Sequence, residues 1–378
     1  MNGTQERTMK RLYSAFCAVL FFCAAVLPAD ASNDTGTSAA SAILFEPTTE
    51  TVLFEKDADS RLPMASTTKI MTALVALEAV PLETKVAVPD EACGMEGSGI
   101  GLTPGEELTV EDLLWAVLLE SANDAAAATA IAVSGSIAAF ADRMNEKAVQ
   151  LGLTDTHFAN PHGLDDEAHY TTARDLAKIT ASAMENDTFR KMVSSVRHEI
   201  PKPNGTRYLI NHNRLLRERS DVIGVKTGFT KHSGRCLVTA AERDGVCLIA
   251  VTLNDPDDWR DHCALYDAAF PRCTRIRFAE PGGISFPVPC VGSEKGAVRA
   301  VNDTGLERVF IDGRPEYRTV IETKRMLFPP VECGEEIGRA VFLAPDGSEL
   351  GSVPLLADET VSEPEEPEGL LRKLFSRG

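Results

Sequence analysis

Three short motifs stand once each, in order, along the chain: Ser66-Thr67-Thr68-Lys69, Ser121-Ala122-Asn123 and Lys226-Thr227-Gly228. Residues three apart on a helix share a face, so the Lys69 amine can reach the Ser66 hydroxyl. A serine hydroxyl is a poor nucleophile without a base, and a lysine serves as one only when its pKa is lowered. Burial and a second cation, here Lys226, would lower it. Ser66 follows Pro63 near a predicted helix start, where the helix dipole favours a developing alkoxide. Ser121 can pass a proton toward a leaving amine, and the Asn123 amide can hold a peptide carbonyl and N–H. Lys226 and Thr227 offer a cation and a hydroxyl to a free carboxylate, and Gly228 leaves room for substrate along a strand edge.

The elements that must hold these groups are legible as periodicities. Ser66 to Ala79 reads as a helix with Ile70, Leu74 and Leu77 on one face. Two β-like runs precede it, Ala42–Glu46 and Thr51–Glu55, joined by a short turn. Leu113–Leu119, the Ala-rich Ala125–Ala132, Ile137–Leu151 and Arg174–Glu185 are helical. Strand character returns at Arg235–Ala241 and Val246–Leu253. Strands at both ends of a helical block predict an α/β domain with a mainly antiparallel sheet. After Phe270 the texture changes to Pro- and Gly-rich short strands (Val298–Val301, Glu307–Ile311, Tyr317–Thr323, Ala340–Leu343), predicting a small all-β domain.

A chain of 378 residues with 44% hydrophobic content is large enough for two domains and excludes global disorder. Its formal net charge of −18 argues against a nucleic-acid partner, which needs clustered Lys and Arg. Lys10 and Arg11 precede an apolar run from Ala15 to Leu27, and Ala29-Asp30-Ala31 supplies small residues for cleavage. This predicts an export signal over 1–31, then a flexible leader over 32–40. The remaining divisions are a catalytic domain over 41–275, an all-β domain over 276–357, an acidic linker over 358–368 and an amphipathic tail over 369–378. On a helix that tail sets Leu370, Leu371, Leu374 and Phe375 opposite Arg372, Lys373 and Arg377. Loss of 1–31 leaves an odd number of cysteines: Cys93, Cys236, Cys247, Cys263, Cys273, Cys290 and Cys333. No required disulfide is expected.

The motif set is the one shared by penicillin-binding proteins and related β-lactamases. From about Ala42 to the tail, the chain resembles the low-molecular-mass penicillin-binding proteins, the D-alanyl-D-alanine carboxypeptidases of the peptidase S11 type. The likeness rests on PMASTTKIMTAL around Ser66, LLESANDAA around Ser121 and NPHGLDDEAHYTTARDLA from Asn160. GVKTGFT from Gly224 and the following RCLVTAAERDGVCLIAVTL complete it. The resemblance implies a serine β-lactamase/transpeptidase-like α/β fold and removal of the terminal D-alanine from peptidoglycan stem peptides ending in D-Ala-D-Ala. β-Lactams would act as covalent inhibitors, and no cofactor is called for. It implies Ser66 as the acylated nucleophile, Lys69 as the general base and Ser121 as the proton relay. Asn123 would bind substrate, Lys226 and Thr227 would grip the terminal carboxylate beside Gly228, and the Ser66 and Phe229 amides would form the oxyanion hole. Arg260, in NDPDDWRDH, is similar to the arginine that these enzymes place near the carboxylate. The implied location is the outer face of the cytoplasmic membrane or the wall space, with the tail on an anionic membrane surface.

Three other readings compete. A β-lactamase would need a water-activating acid, for which Glu167 is the one candidate in a suitable loop. A transpeptidase would differ only in the acyl acceptor. A wall-binding scaffold with a dead site fits poorly with intact Ser66, Lys69, Ser121 and Lys226. The group His157, His162, His169, Asp165, Asp166 and Glu167 matches no zinc spacing and reads as a loop packed beside the cleft, so no metal is expected. Trp115 reads as core, and Trp259 as either core or cleft wall.

Overall fold

A computed structural model describes residues 36–363. The predicted export signal and the amphipathic tail lie outside the described residues.

The first sheet has five antiparallel strands in the order β2-β1-β9-β8-β7. They are β1 (Ser41–Glu46), β2 (Thr51–Lys56), β7 (Val222–Thr230), β8 (Gly234–Arg243) and β9 (Val246–Leu253). The inner strands read as nearly unbroken apolar runs because both faces of the sheet are covered. Successive side chains of a strand point to opposite faces. Ile43, Phe45, Ile249 and Val251 therefore join one core, while Leu44, Leu248 and Ala250 join another. Two helices form on the first face: α1 (Lys69–Ala79), entered through a 3-10 turn at Ala65–Thr68, and α2 (Val110–Leu119). α3 (Asn123–Ser134), α4 (Ile137–Gln150), α5 (Ala173–Met184) and α6 (Asp187–Ser194) complete that layer. On the other face lie the single turn α7 (Leu215–Glu218) and α8 (Asp258–Ala269).

Local chemistry fixes the helices that matter. A reciprocal capping box starts α2, with the Thr109 side chain on the Asp112 amide and the Asp112 carboxylate on the Thr109 amide. Ala125 to Ala128 are all fully buried in α3, since side chains this small let α1, α2 and α4 pack close around it. Trp115 is core as expected, 2% exposed, and stacks on His198 with ring centroids 3.7 Å apart.

The second part of the chain is all β. One sheet has the order β11-β12-β16-β15-β14, from β11 (Ser285–Pro289), β12 (Ala297–Val301), β14 (Arg318–Thr323), β15 (Glu336–Leu343) and β16 (Glu349–Ala357). β10 (Cys273–Ala279) and β13 (Leu306–Ile311) form a two-stranded sheet beside it. Phe278, Val298, Ile337, Phe342 and Leu355 fill the core between them.

Several details depart from expectation. The first turn of the predicted helix at Ser66 is 3-10 rather than α. A hairpin of β5 (Arg197–Lys202) and β6 (Gly205–Ile210) leaves no periodic signal in the sequence, because only Ile200 and Leu209 of its twelve residues are buried. β3 (Lys85–Ala87) and β4 (Glu107–Thr109) form a further short pair. The seven described cysteines are all free thiols.

Candidate active site

Ser66 sits on the 3-10 turn that leads into α1, directly after Ala65, whose φ of +47° is left-handed. Ser121 also has a left-handed φ, +58°, in the break between α2 and α3. Such backbone is costly for residues with a Cβ and persists only where the surroundings hold it. Here it turns both hydroxyls into one cleft of about 300 Å³, lined also by Ser98, His212, Thr227, Gly228, Phe229, Arg235, Asp258 and Trp259.

Lys69 opens α1 and is fully buried. Its Nζ lies 3.0 Å from Ser66 Oγ, 2.7 Å from Asn123 Oδ1 and 2.5 Å from the His162 carbonyl. Burial, and then the Lys226 charge, push its pKa well below the ordinary lysine value, while Asp124 opposes them. A neutral amine in hydrogen-bond reach of the hydroxyl is what a general base at this position requires. Asn123, expected to bind substrate, has contacts of its own within the chain. Its Oδ1 faces Lys69, its Nδ2 donates to the Glu96 carbonyl at 2.6 Å, and its own amide donates to the Ser98 carbonyl at 2.7 Å. It therefore aims the lysine and ties the Ser98 loop to the start of α3.

Lys226 and Thr227 lie on β7, an edge strand of the sheet. Lys226 is 1% exposed, and desolvation lowers its pKa to about 7, partly offset by Glu120. Gly228 approaches the nucleophile so closely that a Cβ there would stand 3.0 Å from the Ser66 backbone nitrogen. This brings β7 against the 3-10 turn, with the Ser66 and Phe229 amides on adjoining segments. The Phe229 ring itself is exposed.

The His-rich loop is scaffold for the nucleophile. Ala159 N–H donates to His169 Nδ1 at 3.0 Å, so Nε2 carries the proton and donates to Thr68 Oγ1 at 2.7 Å. Thr68 Oγ1 in turn donates to the Ala65 carbonyl at 2.7 Å. Burial keeps His169 neutral, with a pKa of about 4, and lowers His162 to about 3 with help from the Lys69 charge. Gly163, at φ +86°, passes so near that a Cβ would sit 2.0 Å from the Ala65 carbonyl oxygen. Gly163→Ala should therefore shift the Ser66 turn, costing about 2–4 kcal/mol of stability by denaturant unfolding and slowing acylation. Unchanged stability and acylation would show that the loop does not hold the turn.

One expected residue is elsewhere. Arg260 is on the first turn of α8 with its side chain 79% exposed, and its guanidinium pairs with Asp257 at 3.1 Å; it does not line the cleft. The partners stand three positions apart at a helix start, so they meet locally rather than across the fold. The guanidinium in the cleft wall is that of Arg235, on β8 opposite Phe229. It pairs with buried Asp258 at 2.8 Å and lies over the Trp259 ring, while its buried Nε has no hydrogen-bond partner. Arg235→Ala should lower kcat/KM for a carboxylate-terminated peptide about tenfold or more, and Arg260→Ala less than threefold. The opposite order in steady-state assays would return the role to Arg260. His212, 3.4 Å from Glu120, also lines the cleft. Arg235 opens the RCLVTAAERDGVCLIAVTL stretch with no role implied for it there, and His212 lies outside every motif; no local signal in the sequence points either of them into the cleft.

The sequence profile of the D-alanyl-D-alanine carboxypeptidase family matches residues 29–257. The chain is 32% identical over 339 residues to D-alanyl-D-alanine carboxypeptidase DacF of Bacillus subtilis, covering 86% of each. It is 40% identical over 223 residues to a D-alanyl-D-alanine carboxypeptidase of a Streptomyces species, covering 54% of this chain and 77% of that one. Penicillin binding protein 5 from Haemophilus influenzae superposes with a TM-score of 0.66 at 27% identity, covering 86% of this chain and 98% of that one. With this profile match, and a relative of this identity matched over most of both chains, the chain belongs to the D-alanyl-D-alanine carboxypeptidase family, peptidase S11.

Proposed function

We infer that this chain removes the terminal D-alanine from peptidoglycan stem peptides ending in D-Ala-D-Ala, through an ester on Ser66. The observation that carries this is the buried Lys69 amine 3.0 Å from Ser66 Oγ, its pKa held down by burial and Lys226.

Each group has one part in the reaction. The substrate lies along β7 with its terminal carboxylate toward Lys226, Thr227 and Arg235. Lys69 takes the Ser66 proton as Oγ bonds to the penultimate D-alanine carbonyl carbon. The tetrahedral oxyanion takes hydrogen bonds from the Ser66 and Phe229 amides. Ser121 relays the proton to the departing nitrogen, the C–N bond breaks and D-alanine leaves. Water then attacks the ester, giving its proton back through Lys69, and Ser66 regains its hydrogen. A β-lactam acylates by the same steps, but its amine stays tethered after ring opening and obstructs the water.

The test is incubation with a D-Ala-D-Ala pentapeptide and, separately, with penicillin. Release of one D-alanine per peptide with slow penicillin turnover supports the reading. Rapid penicillin hydrolysis with an intact pentapeptide would mark a β-lactamase instead.

The leading 1–31 fits an export signal and 369–378 fits an interfacial helix, placing the enzyme outside the cytoplasm at the membrane. Four large apolar groups supply at most about 6–12 kcal/mol if fully immersed, and a ten-residue helix costs much of that to form. Attachment through the tail alone is therefore weak and reversible.

A further inference from the structure

The β domain carries an apolar surface that its own core does not use. Residues around Cys290 and Leu327 run side by side as a parallel bridge, with Val291 N–H donating to the Leu327 carbonyl at 2.9 Å. Leu327 N–H donates to the Pro289 carbonyl at 2.7 Å. Cys290 and Leu327 both point inward, 1% and 3% exposed. Alternation then turns their neighbours outward together. Val291 is 50% exposed, Met326 48% and Phe328 63%, with Pro289 exposed beside them. Isolated exposed apolar residues need no explanation, but a contiguous group of this kind marks a contact surface.

The position of the group indicates what it contacts. Val331, three residues after Phe328, pairs with Val361 through two backbone hydrogen bonds of 2.9 and 2.8 Å. The described chain thus ends within two residues of that pair, beside the apolar group. Five residues, 364–368, separate Glu363 from Gly369, and the six Cα–Cα steps between them reach about 20 Å if extended. The amphipathic segment of the sequence therefore begins within that reach of Glu363, two residues past the pairing of Val331 with Val361. Arg325, next to Met326, makes no ion pair among the described residues, whereas Lys324 lies 3.8 Å from Glu335. Exposed Glu294 and Glu332 in the same loops offset the basic charge, so apolar immersion rather than charge would dominate.

We propose that Pro289, Val291, Met326 and Phe328 form a second lipid-contacting surface that rests on the membrane beside the C-terminal tail. The proposal rests on the membrane reading of the tail and gives the β domain a defined face toward the bilayer. Two adjacent weak contacts on one body reinforce each other, because binding of either raises the local concentration of the other.

The test uses the chain lacking 1–31 and vesicles of equal parts phosphatidylglycerol and phosphatidylcholine, with and without brominated acyl chains. Phe328→Trp adds an indole whose signal is read against the parent, which has only Trp115 and Trp259. Its emission should shift to the blue with vesicles and be quenched by the brominated lipid. Met326→Ser with Phe328→Ser should weaken vesicle binding about tenfold, with penicillin acylation unchanged as proof of folding. In the Phe328→Trp chain lacking 369–378, quenching should persist at higher lipid concentration, which separates this surface from the tail. If full-length protein binds vesicles while the added indole stays unquenched, the tail reading survives and this one fails. If the indole is shielded without lipid, and loses that shielding when 369–378 is removed, the chain's own tail covers the surface and the proposal is overturned.

Discussion

Lys69→Ala is expected to slow acylation of Ser66 by penicillin about a thousandfold, the scale of a lost general base. Without the amine, the Ser66 hydroxyl has no base within hydrogen-bond reach and must give its proton to water, a far weaker base. The fold should survive. The lost group is a fully buried amine whose pKa is already pushed down by desolvation, and its neighbours Asn123 Oδ1 and the His162 carbonyl can take up water. Circular dichroism should therefore match the parent while stopped-flow acylation collapses. Acylation within about tenfold of wild type would mean that another group takes the proton.

The second large effect belongs to Lys226. Lys226→Ala should lower kcat/KM about ten- to a hundredfold for peptides with a free carboxylate, and far less for the same peptides as amides. Equal losses on both substrates would separate Lys226 from carboxylate binding. Its titration also sets the pH profile. Lys69 must be neutral to act, and its lowered pKa places the acid limb well below the ordinary lysine range. Lys226 must be charged to hold a carboxylate, and burial brings its pKa to about 7 in the free enzyme. The log of kcat/KM should fall as pH rises through that value, because the cation is lost. A bound carboxylate favours the charged form, so the alkaline limb of kcat should lie higher than that of kcat/KM. A profile flat from pH 5 to 10 would contradict both assignments.

What the sequence reveals of this site, and what it hides, has a physical division. The SxxK spacing places Ser66 and Lys69 within reach because a helical turn is local, and the structure has them 3.0 Å apart. The strands Arg235–Ala241 and Val246–Leu253 announce themselves because their apolar runs are long enough to exceed any helix face. By contrast, Arg235 enters the cleft only because β8 pairs with β7 in a register that sets it opposite Phe229. Arg260 sits in a suggestive segment, but its neighbour Asp257 captures it at the helix start. Asn123 reads as a substrate ligand in the sequence, and only the fold adds its second partner, bringing Lys69 from 54 residues away to its Oδ1. The β5–β6 hairpin escapes notice for a different reason: it is mostly exposed and polar, so little periodicity is impressed on it. Side-chain direction and long-range partnership are properties of the packed chain, whereas motif spacing within one turn is a property of the sequence.

Intact-mass spectrometry after incubation with benzylpenicillin tests the central claim most directly. The account predicts one covalent adduct per chain, lasting long enough to be isolated, mapped by peptide digestion to Ser66 and absent from Ser66→Ala. An adduct that forms equally well in Ser66→Ala, or one mapped to another residue, would contradict it.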